Sequence, residues 1–232
     1  MLLSFNKVSK NFGEIKVLDN FSINFPKKGT VCLFGKSGIG KTTILNLIAG
    51  LLKPDFGYIE GLDTKKISFA FQDERLLLWN TVIENVSVVV NKKSNIDKKE
   101  IAKGWLSKVG LLEFCDKKPD ELSGGMKQRL VLARALAFDG DIILLDEPFK
   151  GLDDASKNTL IDLINEITKD KLVVVVTHST YEALSLSDTI YVLKGTPIEV
   201  VDKLDIDLPC CESYRYNSAF LEYQKKIDAL YK

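Results

Sequence analysis

The chain has 232 residues, 45 % of them hydrophobic and 28 % charged, with 32 basic side chains against 32 acidic ones. That length suits an α/β domain with a large buried core, and that composition excludes a disordered chain. The neutral balance argues against a protein that coats nucleic acid.

No run of about 18 apolar residues offers a membrane span. The opening MLLSFNKVSKNF turns polar too early for a secretory signal. The chain is therefore expected in the cytosol, reaching a membrane only through a partner. Cys32, Cys115, Cys210 and Cys211 lack the paired spacing of a zinc site and read as free thiols.

In chain order, Phe21–Phe25 alternates apolar and polar residues, the period of a half-buried antiparallel strand. Thr30–Phe34 is a continuous apolar run that ends in a glycine-rich loop. A helix is predicted over Lys41–Leu52, with Ile44, Leu47, Ile48 and Leu51 on one face and Pro54 as its stop. Ile67–Phe71 is a further short strand. From Asp73 to about Asp139 the pattern turns helical. Ile101, Trp105 and Val109 recur at helical spacing, and a helix capped by Ser123 runs from there through Phe138.

Ile142–Asp146 and Leu172–Thr177 are apolar and β-branched, as parallel strands covered on both faces require. An amphipathic helix over Asp154–Lys169 separates them, which implies right-handed crossovers in a parallel sheet. Thr189–Leu193 and Ile198–Val201 read as closing strands. A last helix over Ser218–Tyr231 is predicted to present Leu221, Ile227 and Leu230 on one side.

Gly35, Lys36, Ser37, Gly38, Ile39, Gly40, Lys41 and Thr42 fit G-x-x-x-x-G-K-[ST] between a buried strand and a helix. Glycines let the backbone wrap a phosphate chain with its N–H groups, and the helix start adds positive potential. Lys41 is expected to reach the β- and γ-phosphates, and the Thr42 hydroxyl to bind Mg²⁺. Thr43 is counted with the same nucleotide-binding set. By itself the loop says only "nucleoside triphosphate", leaving kinases, GTPases and motors open. Asp146 and Glu147 end the next buried strand. An Asp there can hold the Mg²⁺ shell, and a Glu immediately after it can act on water as a general base. His178, the one histidine, ends the strand that follows and could contact the γ-phosphate or hold the water.

Leu122–Arg129 reads LSGGMKQR, which resembles the LSGGQ signature of ABC ATPases. Ser123 offers a hydroxyl, and Gly124 and Gly125 leave a helix start uncovered, so the segment reads as a second anion site. The resemblance covers essentially the whole chain. It implies an α/β P-loop NTPase cassette with an N-terminal antiparallel β subdomain and an inserted helical subdomain. Residues 1–72 and 139–208 would form the β and RecA-like core, 73–138 the helical subdomain and 209–232 a C-terminal helix of one domain spanning 1–232. It implies that Phe12 stacks on adenine, and that Gln72 senses Mg²⁺ and the transport domain. It also makes Gly151-Leu152-Asp153 the D-loop and His178 the switch histidine. Ser123, Gly124 and Gly125 would face the ATP of a second subunit, in a homodimer or paired cassette.

Phe71–Val86, FQDERLLLWNTVIENV, is similar to the equivalent stretch of the nitrate, sulfonate and taurine importer group, which includes importers of thiamine-pathway pyrimidines. Leu204–Pro209 is also like that group. Leu78 replaces its usual proline, Cys210-Cys211 its basic pair, and Lys150-Gly151 the commoner Ser-Ala. The expected assembly contains permease subunits touching Gln72–Val86 and an extracytoplasmic solute-binding protein, with the cassette at the cytoplasmic face and no nucleic acid. Repair or chromosome-structuring ABC ATPases carry a long coiled coil before LSGG, and no sustained heptads occur here. A small-molecule P-loop kinase has no use for LSGGM or for the Gly151–Asp154 segment.

Overall fold

The computed structural model describes residues 2–90, 97–208 and 218–231; Cys210 and Cys211 lie outside them. In chain order, the first elements are β1 (Ser4–Phe12), β2 (Ile15–Asn24), β3 (Gly29–Phe34), α1 (Lys41–Ile48), β4 (Phe56–Glu60) and β5 (Ile67–Ala70). Helices α2 (Val82–Ser87), α3 (Lys98–Lys108) and α4 (Gly124–Ala137) follow, with two short 3₁₀ turns between the last two. The chain continues through β6 (Ile142–Asp146), α5 (Asp154–Ile167), β7 (Leu172–Thr177) and α6 (Thr180–Leu186). It closes with β8 (Thr189–Lys194), β9 (Glu199–Asp205) and α7 (Ser218–Tyr231). Two compact units result, Met1–Lys65 with Ile167–Lys232, and Lys66–Glu166.

The first unit holds an antiparallel sheet in the order β2-β1-β4. Phe21, Ile23 and Phe25 are buried while Ser22 and Asn24 are exposed, the alternation read from the sequence. The strand begins earlier, at Ile15, and the other two strands of the sheet, β1 and β4, carry no clean pattern. Three register shifts interrupt β1 against β2, and Lys7 and Asn20 take positive φ of 48°. Each bulge resets which face a side chain occupies, so alternation cannot be followed by eye.

The same unit holds strands in the order β7-β3-β8-β9, parallel except for β9. β3 and β7 are almost wholly buried, which is why both read as apolar runs. Helix α1 stops at Ile48, a turn earlier than Leu52. Gly50 takes φ 69°, its N–H bonds Leu47 O at 3.2 Å, and Leu51 N–H bonds Asn46 O at 2.9 Å. This glycine-centred C-cap ends the helix before the proline can.

Helix α7 packs on α6 through a Tyr181–Phe220 ring contact and a Thr180 Oγ1 to Asp228 Oδ1 bond of 3.3 Å. Its buried residues are Phe220 and Ile227, seven apart, while the expected Leu221 is exposed. Seven residues is two turns, so Phe220 rather than Leu221 shares a face with Ile227.

In the second unit β5 runs parallel to β6, Ile67 opposite Ile142 and Ala70 opposite Leu145. A Cβ on Gly140 would lie 2.7 Å from Ser68 N, so only glycine permits this close turn into β6. The buried side of α3 is Ala102 and Leu106, continued by Val109, one position on from the expected Ile101 and Trp105. Trp105 instead lies under the Lys108 ammonium, 4.9 Å from its ring centre. Cys32 and Cys115 are free thiols. Among the described residues no helix is long and apolar enough to cross a membrane.

Candidate active site

The phosphate loop leaves the end of β3 and enters α1 in the first unit. Its glycines are required by space as well as by conformation. Gly40 has φ 107°, and a Cβ there would sit 2.3 Å from Val17 Cγ1. A Cβ on Gly35 would sit 2.8 Å from Leu193 O. Gly38 also has positive φ, at 84°, but open space around it. Lys41 is 4 % exposed, and its Nζ donates to Gly35 O at 2.8 Å and Lys36 O at 2.7 Å. The ammonium is thus folded back on its own loop.

Two further candidate residues belong to this unit. Phe34 lies opposite Thr177 in the parallel register, so Gly35 and His178 emerge at one sheet edge. Phe12 ends β1 at a hairpin tip and is 45 % exposed. The same hairpin supplies Val17, which packs on Gly40 and accepts Ile198 N–H at 2.9 Å. The aromatic tip is therefore carried on the strand that braces the phosphate loop.

The second unit gathers Gln72, Asp146, Glu147, the LSGGM segment and the D-loop. Ala70 faces Leu145, so Gln72 and Asp146 leave neighbouring strands at the same edge. Asp146 is 1 % exposed. Glu147 holds a left-handed φ of 46°, a backbone state that costs a non-glycine residue about 1–3 kcal/mol and clusters at working sites. The turn is braced by Gln128 of α4, whose Nε2 donates to Pro148 O at 2.9 Å and Glu147 O at 3.5 Å. Gln128 is a site residue that the motifs alone do not single out. Its only signal was its place inside the LSGGMKQR segment.

Ser123 caps α4 by accepting Met126 N–H at 3.3 Å, and no acidic residue occupies the first turn. Ser123 and Gly124 are exposed, and a Cβ on Gly124 would meet nothing within 4 Å. Gly125 is tighter, with Gly151 O 3.3 Å from its would-be Cβ. Asp153 caps α5: its Oδ1 accepts Ser156 N–H at 2.9 Å and its Oδ2 accepts the Ser156 hydroxyl at 2.8 Å. Those bonds, the backbone one foremost, hold its carboxyl below the usual range. Gln72, Arg75, Leu78, Gly124, Gln128 and Gly151 line an open cleft of about 660 Å³.

The loop beyond Gln72 is held by side chains remote in sequence. Arg134 of α4 donates to Arg75 O at 2.7 Å and Glu74 O at 3.0 Å, and burial pulls its guanidinium below its usual pKa. Asn85, fully buried, accepts Leu77 N–H at 2.8 Å and donates to the carbonyls of Leu77, Asn80 and Thr81. Trp79 stands 74 % exposed on the loop these bonds shape.

A family model described as "ABC transporter" matches residues 18–150. The chain is 39 % identical to an uncharacterized ABC transporter ATP-binding protein of Methanocaldococcus jannaschii, over 94 % of this chain and 85 % of the relative. It is 36 % identical to an aliphatic sulfonates import ATP-binding protein of Bacillus cereus, covering 98 % and 94 %. Identity is also 36 % to a bicarbonate transport ATP-binding protein of Synechocystis, covering 84 % and 75 %. Among solved structures, a dimeric ATP-binding cassette in a post-hydrolysis state bound to ADP and Pi superposes with a TM-score of 0.80 at 31 % identity, over 88 % of this chain and 99 % of that one. The chain belongs to the ABC transporter family, as an ATP-binding and ATP-hydrolysing cassette.

Proposed function

We propose that this cassette powers import of a small solute by closing, as a dimer, on two ATP molecules. Each ATP lies between Gly35–Thr43 of one copy and Ser123–Gly125 of the other. Phe12 stacks on adenine, and the loop amides with Lys41 hold the β- and γ-phosphates. Lys41 exchanges its two loop carbonyls for phosphate oxygens, a short movement for a side chain already buried in place.

Thr42, Gln72 and Asp146 offer a hydroxyl, an amide carbonyl and a carboxylate, all hard oxygen donors. Among the described residues no cluster of three His, Cys, Asp or Glu side chains could hold a metal alone. Such a sparse set fits Mg²⁺, which keeps waters and phosphate oxygens in most of its positions. When bound, the ion neutralises charge on the phosphates. Glu147 accepts a proton from the attacking water, whose oxygen bonds to the γ-phosphorus while the bond to the β–γ bridging oxygen breaks. ADP and phosphate leave. His178 contacts the γ-phosphate and holds that water. Residues 73–138 act as the helical subdomain of the cassette.

The observation that carries the dimer reading is the start of α4, exposed at Ser123 and Gly124, uncovered by side chains and free of acidic residues in its first turn. An anion delivered from outside finds N–H groups and the positive end of a 14-residue helix. Exposed Leu78 and Trp79 supply an apolar face for permease subunits at the cytoplasmic side of the membrane. An extracytoplasmic binding protein selects the solute. The sulfonate and bicarbonate transport names of two relatives support a small solute.

The test uses Glu147→Gln, which is expected to cut steady-state phosphate release at least about 100-fold while retaining ATP, and to run as a dimer in gel filtration with ATP. Adding Ser123→Arg must return it to a monomer that still binds ATP. A dimer in that double variant refutes the trans site. Near-normal phosphate release by Glu147→Gln refutes the general base.

A further inference from the structure

One buried carboxylate takes no part in the chemistry assigned above. Glu182 lies in the first turn of α6 and is 8 % exposed. Its Oε2 accepts the Thr177 hydroxyl at 2.5 Å, and Thr177 is itself buried at the end of β7. The Thr177 Oγ1 accepts Ser179 N–H at 3.0 Å, and the Ser179 Oγ accepts Glu182 N–H at 3.4 Å. Residues 177 and 179 are thus tied to one carboxylate and one helix start. Between them lies His178, exposed, at the sheet edge it shares with Gly35.

Burying a carboxylate is costly, and an apolar side chain of similar volume would stabilise an ordinary core at least as well. What a carboxylate does that leucine cannot is fix the Thr177 hydroxyl. A hydroxyl with its hydrogen committed to Glu182 presents its lone pairs to Ser179 N–H, which sets the backbone on both sides of His178. Without the carboxylate, the threonine hydroxyl keeps only the Ser179 N–H as its partner and its own hydrogen is no longer committed.

We propose that the Thr177–Glu182 pair is the positioning element of His178, setting the rate of hydrolysis without touching ATP. This rests on the reading of His178 as a γ-phosphate contact. The pair acts on turnover more than on affinity, because most of the ATP contacts assigned above belong to Phe12 and the phosphate loop rather than to residues 177–179.

The experiment measures kcat and ATP Kd on the full chain for Thr177→Val, Thr177→Ser and Glu182→Gln, and for Thr177→Val combined with His178→Ala. Thr177→Val is expected to lower kcat about tenfold with Kd changed less than about twofold. Thr177→Ser and Glu182→Gln keep a donor and an acceptor and should keep most of the turnover. In the His178→Ala background, Thr177→Val should cost nothing further, because positioning an absent ring has no effect. Wild-type turnover in Thr177→Val overturns the proposal, as does a loss that multiplies with that of His178→Ala. Should Thr177→Val not fold, Glu182→Asp carries the same test by drawing the carboxylate back one methylene. Unchanged turnover in His178→Ala alone sinks the histidine's role itself, a separate outcome.

Discussion

Two loops leave the carboxyl ends of parallel strands in this protein, and they are built on different principles. The phosphate loop after β3 is shaped by what is missing. Gly35 and Gly40 bring backbone against Leu193 O and Val17 closer than a methyl group would allow. The loop after β5, from Gln72 to Trp79, contains no glycine at all. Asn85 and Arg134, on two different helices, bond its carbonyls and N–H groups from outside. A loop held by sterics is written in one contiguous motif. A loop held by side-chain staples distributes its instructions over some 60 residues, as the Arg134 to Glu74 bond shows.

The contrast can be broken most sharply at Gly40. Gly40→Ala should cost at least about 3 kcal/mol of unfolding free energy, from steric conflict with Val17 added to a positive φ. Gly38→Ala has the same strain without the collision and should cost only about 1–2 kcal/mol. Urea denaturation without nucleotide compares the two, and equal costs would mean that conformation alone, not packing, selects these glycines.

The next effect belongs to the stapled loop. Asn85→Ala leaves the N–H and the carbonyl of Leu77 without their buried partner and should cost about 2–3 kcal/mol. The ATP affinity of the isolated cassette should stay within about twofold, since no nucleotide contact is removed. A tenfold loss of ATP affinity in this variant would show that the two loops are not independent.

The smallest effect is on acid stability and has one site in each unit. Lys10 foremost, then Asn11 N–H, holds the Asp55 carboxyl below its usual range beside β1. Thr81 N–H does the same for Glu84 at the start of α2. Each carboxylate is therefore fully stabilising above the ordinary carboxylate pKa, and that contribution is lost as pH falls through the lower folded value. Asp55→Asn and Glu84→Gln should each flatten the fall in Tm below about pH 4, by a degree or two at most for such exposed groups. A steeper fall would reverse the sign of the linkage.

These differences track what could be read from residues in order. The buried parallel strands were legible because both faces are covered, so Val173 to Val176 needed no alternation to be recognised. β1 was not, because its bulges break the period. At the end of α1 two stop signals stand four residues apart, and the glycine at 50 acts before the proline at 54. On α7 the sequence offers both Phe220 and Leu221 as apolar companions of Ile227, and only Phe220 stands two turns away from it. In the candidate site, the phosphate loop, Asp146 and Glu147 were visible as a motif and a strand end. Gln128, Asn85, Thr177 and Glu182 were not, since each works by reaching a backbone or hydroxyl whose neighbourhood only folding creates.

The chemistry available to this protein is written in short stretches of chain: a glycine-bound phosphate loop, two carboxylates at the end of a buried strand, one histidine and one LSGGM segment. Local sterics and hydrogen-bonding capacity suffice for that, because each motif acts through atoms a few residues apart. How those groups are held depends on the fold. Parallel register set Gly35 beside His178 and Gln72 beside Asp146, and polar side chains from distant elements locked the turns between. Such bonds gain their strength from burial, and burial is a property of the fold rather than of any stretch of chain.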